Sequence, residues 1–216
     1  MTAPAEKVRA ALLRAGRDDA LPAAEALAAY LELLLRANEA VNLVSRREAT
    51  FEALLERHLL DALDGLPFLP RPGSGRLGLL DVGSGGGFPA IPLLLVRTDL
   101  QGTLVEATGK KARFLVGAME ALGLTGRIVN ARFPAPALEL MRNAPPRALL
   151  TSRAVADAAG ILRQARPALA PEAVALLWTT AALADELRRA LPKARVAFHL
   201  SAGAERRGIA RVERFT

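Results

Sequence analysis

No cysteine occurs anywhere in the 216 residues. That absence removes disulfides, thiolate zinc sites and every mechanism that needs a cysteine nucleophile. A metal centre is not expected. Long apolar runs are missing too: stretches such as Ala173 to Trp178 are far too short to span a bilayer, and polar or charged residues bound them. The first 17 residues lack the basic start, apolar middle and small-residue cleavage site of a secretory signal, so a cytoplasmic protein without membrane attachment is expected. Acidic residues are the scarcer charge, 22 against 29 Lys and Arg, giving a formal net charge of +7. Such a balance favours polyanionic partners, nucleic acid first. With 51% hydrophobic and 24% charged residues the composition is that of a globular chain with room for one substantial core.

Helical periodicity dominates the first third. Glu6 to Ala15 reads as a short helix; Pro22 to Arg36 carries Leu27, Leu31, Leu34 and Leu35 on one face; Glu48 to Leu63 carries Phe51, Leu54, Leu55, Leu59, Ala62 and Leu63. The prolines and glycines of Pro67 to Gly78 mark a linker. Beyond it short apolar runs alternate with helical stretches: Leu77 to Val82, Thr103 to Glu106, Arg127 to Ala131, Ala148 to Thr151, Val174 to Trp178, Arg195 to Leu200 and Ile209 to Val212. Strands alternating with helices predict an α/β fold of Rossmann type with a mostly parallel, seven-stranded sheet. Residues 1–66 are then a helical extension and residues 67–216 the main domain. A ligand belongs beyond the carboxyl ends of the strands, in the loops after Val82, Glu106, Ala131 and Thr151.

The first of these loops is the most informative. The strand Leu79-Leu80-Asp81-Val82 runs into Gly83-Ser84-Gly85-Gly86-Gly87-Phe88-Pro89, where glycine lets a ligand approach the backbone. Pro89 and Pro92 suit the first turn of a following helix. Gly85, Gly87 and Ala90 also satisfy the dinucleotide fingerprint, and Glu106 stands about twenty residues on, where a ribose-binding acid belongs. A nicotinamide oxidoreductase is therefore a rival reading. Asp81 favours a different ligand: a carboxylate at that place repels a pyrophosphate but attracts the ammonium and sulfonium of S-adenosylmethionine. In either reading Glu106 accepts ribose hydroxyls. Lys110, Lys111 and Arg113 open the next helix and place cations at the rim, equally consistent with RNA and with a solvated face.

After the fourth strand there is neither the Asn/Asp-Pro-Pro-aromatic signature of amine methylation nor a cysteine for C5-pyrimidine chemistry. Ser152-Arg153-Ala154-Val155-Ala156 offers a cation and no carboxylate. That suits an acceptor with its own in-plane lone pair, such as guanine N7, which attacks without first losing a proton. Arg153 would hold guanine O6 or a phosphate, with no general base. His58 lies on the apolar stripe of its helix beside Arg57 and Asp61, where a packing role and a site role are both open. His199 reads as a strand residue.

With Asn42-Leu43-Val44-Ser45-Arg46, Arg57-His58-Leu59-Leu60-Asp61, Asp81 through Pro92, Glu106 with Lys110-Lys111, and Ser152 through Ala156 in this order, the chain resembles the bacterial small-subunit ribosomal RNA guanine-N7 methyltransferases, the glucose-inhibited division protein B family. The resemblance implies methyl transfer from S-adenosylmethionine to guanine N7 of 16S ribosomal RNA, with the RNA or the small ribosomal subunit as partner and the protein acting as a monomer. It implies that Gly83 and Phe88 contact the donor with Asp81, Gly85 and Gly87, that Glu106 binds its ribose, and that Arg153 lines the joint pocket. Phe133 and Pro134 are expected at the adenine, and Asn42, Arg46, Arg57, His58, Lys110 and Lys111 at the RNA. Three departures stand out: Pro134 where the family places an acidic residue, Trp178-Thr179-Thr180 where it tends to show Lys-Gly, and Pro89-Ala90-Ile91 for Pro-Gly-Ile. A further alternative is an RNA-binding or ribosome assembly protein that has lost catalysis.

Overall fold

The computed structural model describes residues 2–72, 75–134, 147–153, 157–201 and 205–215. The helix α1, Pro4–Arg14, starts with proline in its first turn and buries Val8, Ala11 and Leu12. The helix α2, Ala24–Val41, runs five residues past the predicted end and buries Leu27, Tyr30, Leu31 and Leu34. It stops at Asn42, whose φ of 55° no helix continues. Asn38 secures that exit, because its Oδ1 accepts the amides of Leu43 at 2.6 Å and Val44 at 2.8 Å.

The predicted helix over 48–63 is a composite. A 3₁₀ turn, Arg46–Glu48, precedes α3, Phe51–Leu54, which Thr50 caps by accepting the Ala53 amide at 3.2 Å. A π-helical turn, Leu55–Leu59, then leads into α4, Leu60–Leu63. Widened turns of this kind carry one extra residue per turn and concentrate at functional sites. This one holds Arg57 and His58.

Seven strands form one sheet in the order β3-β2-β1-β4-β5-β7-β6. They are β1 Leu77–Val82, β2 Leu100–Val105, β3 Gly126–Val129, β4 Arg147–Arg153, β5 Leu169–Thr180, β6 Arg195–Leu200 and β7 Arg207–Glu213. The first five pair in parallel, while β7 runs antiparallel to both β5 and β6. The seven strands expected from sequence are all present, with Glu106 just past β2 and Ala131 just past β3. Within the expected linker, Leu66–Phe68 forms a 3₁₀ turn; its Gly73 and Ser74 lie outside the described residues.

Alternation along the central strands feeds two cores. Leu79, Leu104, Leu149 and Leu176 face α1, α2, the composite helix and α5, Ala90–Val96. Leu80, Val105, Leu150 and Leu177 face α7, Ala158–Ala165, and α8, Ala181–Ala190. The helix α6, Gly109–Ala121, follows β2 and packs on the first face through Leu115, Ala118 and Met119. Chain order reverses between β1 and β4, so a crevice opens beyond their carboxyl ends.

Candidate functional site

At that crevice the chain turns through Gly83, Gly85 and Gly87 with φ of 77°, 56° and 101°, values that L side chains rarely adopt. The amides of Gly83 and Ser84 are held by the Val105 carbonyl at 2.9 and 3.1 Å, which pins the loop to the end of β2. Pro89 precedes α5 as its cap and Pro92 sits within its first turn, as their spacing predicts. From below, Tyr30 of α2 donates its hydroxyl to the Gly86 carbonyl at 2.7 Å. Its ring lies edge-on to Phe88 with centroids 5.2 Å apart, and the His58 ring stands equally far from Phe88. No sequence signal marks Tyr30, because it falls on the apolar stripe of α2, where a tyrosine looks like packing.

Asp81 ends up beneath the loop, only 1% exposed. Its Oδ1 accepts the Thr151 hydroxyl of β4 at 2.6 Å, whereas Oδ2 has no partner. Burial pushes this carboxyl up to about 6, opposed by the nearby Ser84 and Thr151 hydroxyls and reinforced by the Glu106 charge. The Glu106 carboxylate receives the Gly85 amide at 2.9 Å on one oxygen and the Thr108 amide at 2.7 Å on the other. Each oxygen keeps further lone-pair capacity for a hydroxyl. Asn130, just after β3, steadies this turn by donating to the carbonyls of Glu106 and Ala107 at 2.9 and 3.2 Å.

Arg153, at the end of β4, reaches over to the composite helix. Its Nη2 lies 3.4 Å from the Arg57 carbonyl and 3.5 Å from Asp61 Oδ2, and Nη1 is buried without a partner. His58 is 8% exposed, and its Nε2 stands 3.5 Å from Glu48 without a hydrogen bond. Burial and the nearby Arg153 cation bring His58 down to about 4, so the imidazole is neutral at physiological pH. Asp61 is raised by burial and lowered by Arg153. Trp178, the cross-strand neighbour of Arg153, donates Nε1 to the Asp61 carbonyl at 2.7 Å. The indole also lies over Gly65, where a Cβ would stand 2.7 Å from Cζ2.

Among the described residues four buried side-chain polar atoms lack a partner: His58 Nε2, Asp81 Oδ2, Arg153 Nη1 and Arg147 Nη1. The first three gather around the glycine loop and Phe88; the fourth is at the far end of β4. Unpaired buried polar atoms cost free energy unless something satisfies them, and here the Asp81 and Arg153 charges both act on Tyr30 and the Arg153 charge on His58. The cradle fits a cationic ligand with two adjacent hydroxyls.

Lys110 and Lys111 occupy the first turn of α6, two and three positions beyond Thr108. Phe133 and Pro134 follow β3 half-buried, with Phe133 packed against the second core. Asn42 and Arg46 stand further off, exposed at the end of α2 and in the next turn. Ala154, Val155 and Ala156 of the fourth-strand motif lie outside the described residues.

Comparison with known proteins shows the family. The family model GidB, rRNA small subunit methyltransferase G, matches residues 23–202. A ribosomal RNA small subunit methyltransferase G from Halorhodospira halophila is 39% identical over 176 residues, covering 81% of this chain and 78% of that protein. One from Acidiphilium cryptum is 37% identical over 150 residues, covering 69% of this chain and 65% of its own length. The alignment therefore spans about two thirds of that relative. Precorrin-6y C5,15-methyltransferase from Geobacter metallireducens shares the fold with a TM-score of 0.51 at 14% identity, over 72% of this chain and 86% of that one. The glycine loop, its acidic partners and the Arg153 strand end all fall inside the matched span, and the chain belongs to the rRNA small subunit methyltransferase G family.

Proposed function

We propose that the chain transfers a methyl group from S-adenosylmethionine to guanine N7 of small-subunit 16S ribosomal RNA. One observation carries this reading: the unpaired Asp81 carboxylate and the unpaired Arg153 guanidinium both lie within electrostatic reach of Tyr30, whose hydroxyl holds the glycine loop at Gly86. When bound, the donor supplies an electrophilic methyl group on a sulfonium centre. Asp81 offers that positive charge a buried carboxylate, where the low dielectric strengthens attraction. Glu106 offers its remaining lone pairs to the ribose hydroxyls. Phe88, backed by Tyr30 and His58, closes one wall and excludes water. Phe133 and Pro134 are the candidates for the adenine side.

On the acceptor side Arg153 Nη1 orients guanine through O6 or holds its phosphate, leaving N7 free. Guanine N7 needs no general base, and the neutral His58 is not required to be one. Positioning in line with the donor supplies the rate enhancement. Residues 1–66 serve as a helical extension to the 67–216 domain, and Asn42, Arg46, Arg57, Lys110 and Lys111 hold the RNA. The protein works as a monomer in the cytoplasm.

Small-subunit RNA from a strain lacking this gene, incubated with the purified protein and isotopically labelled donor, tests the reading. Nuclease digestion and mass spectrometry should show one labelled 7-methylguanosine. Label at another base, or none in RNA or assembled subunits, overturns it.

A further inference from the structure

We propose that an open groove at the C-terminal end of α2 is a second binding site, taking the phosphates and base edges of single-stranded RNA next to the target nucleotide. The inference rests on the reading of the chain as an RNA methyltransferase and adds a site to it. The groove measures about 660 Å³ and is lined by Leu35, Arg36, Asn38, Glu39, Asn42 and Arg46, among others. That volume is within the range of small-molecule sites and accommodates nucleotide-sized ligands.

Charge pairing distinguishes the N-terminal helix and the turn after it from this groove. Lys7 is paired with Glu52 at 2.7 Å, Arg14 with Glu56 at 2.7 Å and Arg17 with Asp64 at 2.9 Å, and Arg9 is paired with Glu25. Arg36 and Arg46 are exposed and make no ion pair or side-chain hydrogen bond among the described residues, although Glu39 lies one helical turn from Arg36. Two unpaired guanidinium groups flanking one groove suit phosphate oxygens, which they can bind bidentately. Glu39 and Asn42 supply acceptors and an amide for exposed base edges, which a single strand presents and a duplex hides.

The groove is also tied to the reaction site. Asn38 on its wall fixes Leu43 and Val44 through their amides. Leu43 in turn lies against Gly86, where an added Cβ would stand 3.5 Å from Leu43 Cβ. Glu48 follows Arg46 in the same 3₁₀ turn, accepts the Ser45 hydroxyl at 2.8 Å and stands 3.5 Å from Nε2 of His58, whose π turn also carries Arg57. A strand seated at Arg36 and Arg46 continues along this turn toward Arg57, whose carbonyl lies 3.4 Å from Arg153 Nη2.

The test compares wild type, the double variant Arg36→Ala/Arg46→Ala, and Arg188→Ala, which removes one charge from an ion pair on α8. A short fluorescently labelled single-stranded RNA and a duplex of the same sequence are titrated at several salt concentrations, and S-adenosylmethionine binding is measured on each protein. The double variant should bind the single strand about tenfold more weakly, with a salt slope shallower by about one to two units. Its donor affinity should match wild type, showing the loop intact. Arg188→Ala should stay within about twofold of wild type. Wild-type affinity in the double variant, an equal loss in Arg188→Ala, or a loss confined to the duplex overturns the groove alone. Failure of wild type to bind any RNA overturns it together with the reading it rests on.

Discussion

Gly85 and Gly87 both hold positive φ, yet a methyl group would meet different surroundings at each. At Gly87 it would stand 2.6 Å from Ile91 Cδ1 and 2.9 Å from the Tyr30 hydroxyl, inside the packed base of the loop. At Gly85 the nearest atom is the Gly83 carbonyl oxygen at 3.9 Å, because that side opens to the crevice. Gly87→Ala should therefore lower the melting temperature strongly, through backbone strain and overpacking of about 2 kcal/mol or more. Gly85→Ala should cost only about 1 kcal/mol of strain while weakening donor binding at least tenfold. Thermal melts with donor titrations separate the two; equal melting temperatures contradict the packing account. Asp81 adds a pH signature. Its folded carboxyl keeps a proton up to about 6, whereas the unfolded chain releases it near 4. The free protein consequently binds more protons than the unfolded chain in that window and loses up to about 3 kcal/mol as pH rises through it. Asp81→Asn should flatten this slope and be the more stable protein at neutral pH, yet bind the donor worse. Chemical denaturation at pH 5 and pH 7.5 checks it, and a less stable variant at pH 7.5 counts against a carboxylate held for a ligand.

Coupling between elements explains why the helical extension matters to the loop. Tyr30 links α2 to Gly86, and Trp178 links β5 to the composite helix beside Arg153. Tyr30→Phe leaves the buried Gly86 carbonyl without its donor and should cost about 1–2 kcal/mol, with a several-fold loss of donor affinity. Calorimetry on the purified variant measures both, and an unchanged donor affinity would show that α2 does not support the loop. These couplings mark the boundary of what the sequence reveals. Strands announced themselves by short apolar runs, and the glycine loop by four glycines in five positions, because both signals are local. The π turn over Leu55–Leu59 left no such mark: its apolar stripe is compatible with an ordinary helix, and only packing against Phe88 and Trp178 selects the wider one. The partners of Asp81 and Arg153 were equally hidden, since Thr151 and Asp61 lie 70 and 92 positions away in sequence. The Trp178 departure from the family's Lys-Gly pattern reads in three dimensions as a lock on Asp61 and Gly65.

Across the whole molecule, one sheet serves two purposes. Its second face closes an apolar core under α7 and α8, while its first face binds a helical layer that reaches the crevice at the β1 and β4 ends. The chain carries a surplus of seven positive charges, and the buried groups of its site include an unpaired carboxylate. A basic exterior suits an RNA substrate, and an acidic interior suits a cationic donor and disfavours a pyrophosphate. The most direct measurement is calorimetric titration of the purified protein with S-adenosylmethionine and, separately, with NAD, from pH 5 to pH 8. The account predicts saturable binding of S-adenosylmethionine that weakens by about tenfold per unit below pH 6, loses this dependence in Asp81→Asn, and has no counterpart for NAD. Saturable binding of NAD with no heat from S-adenosylmethionine would contradict it.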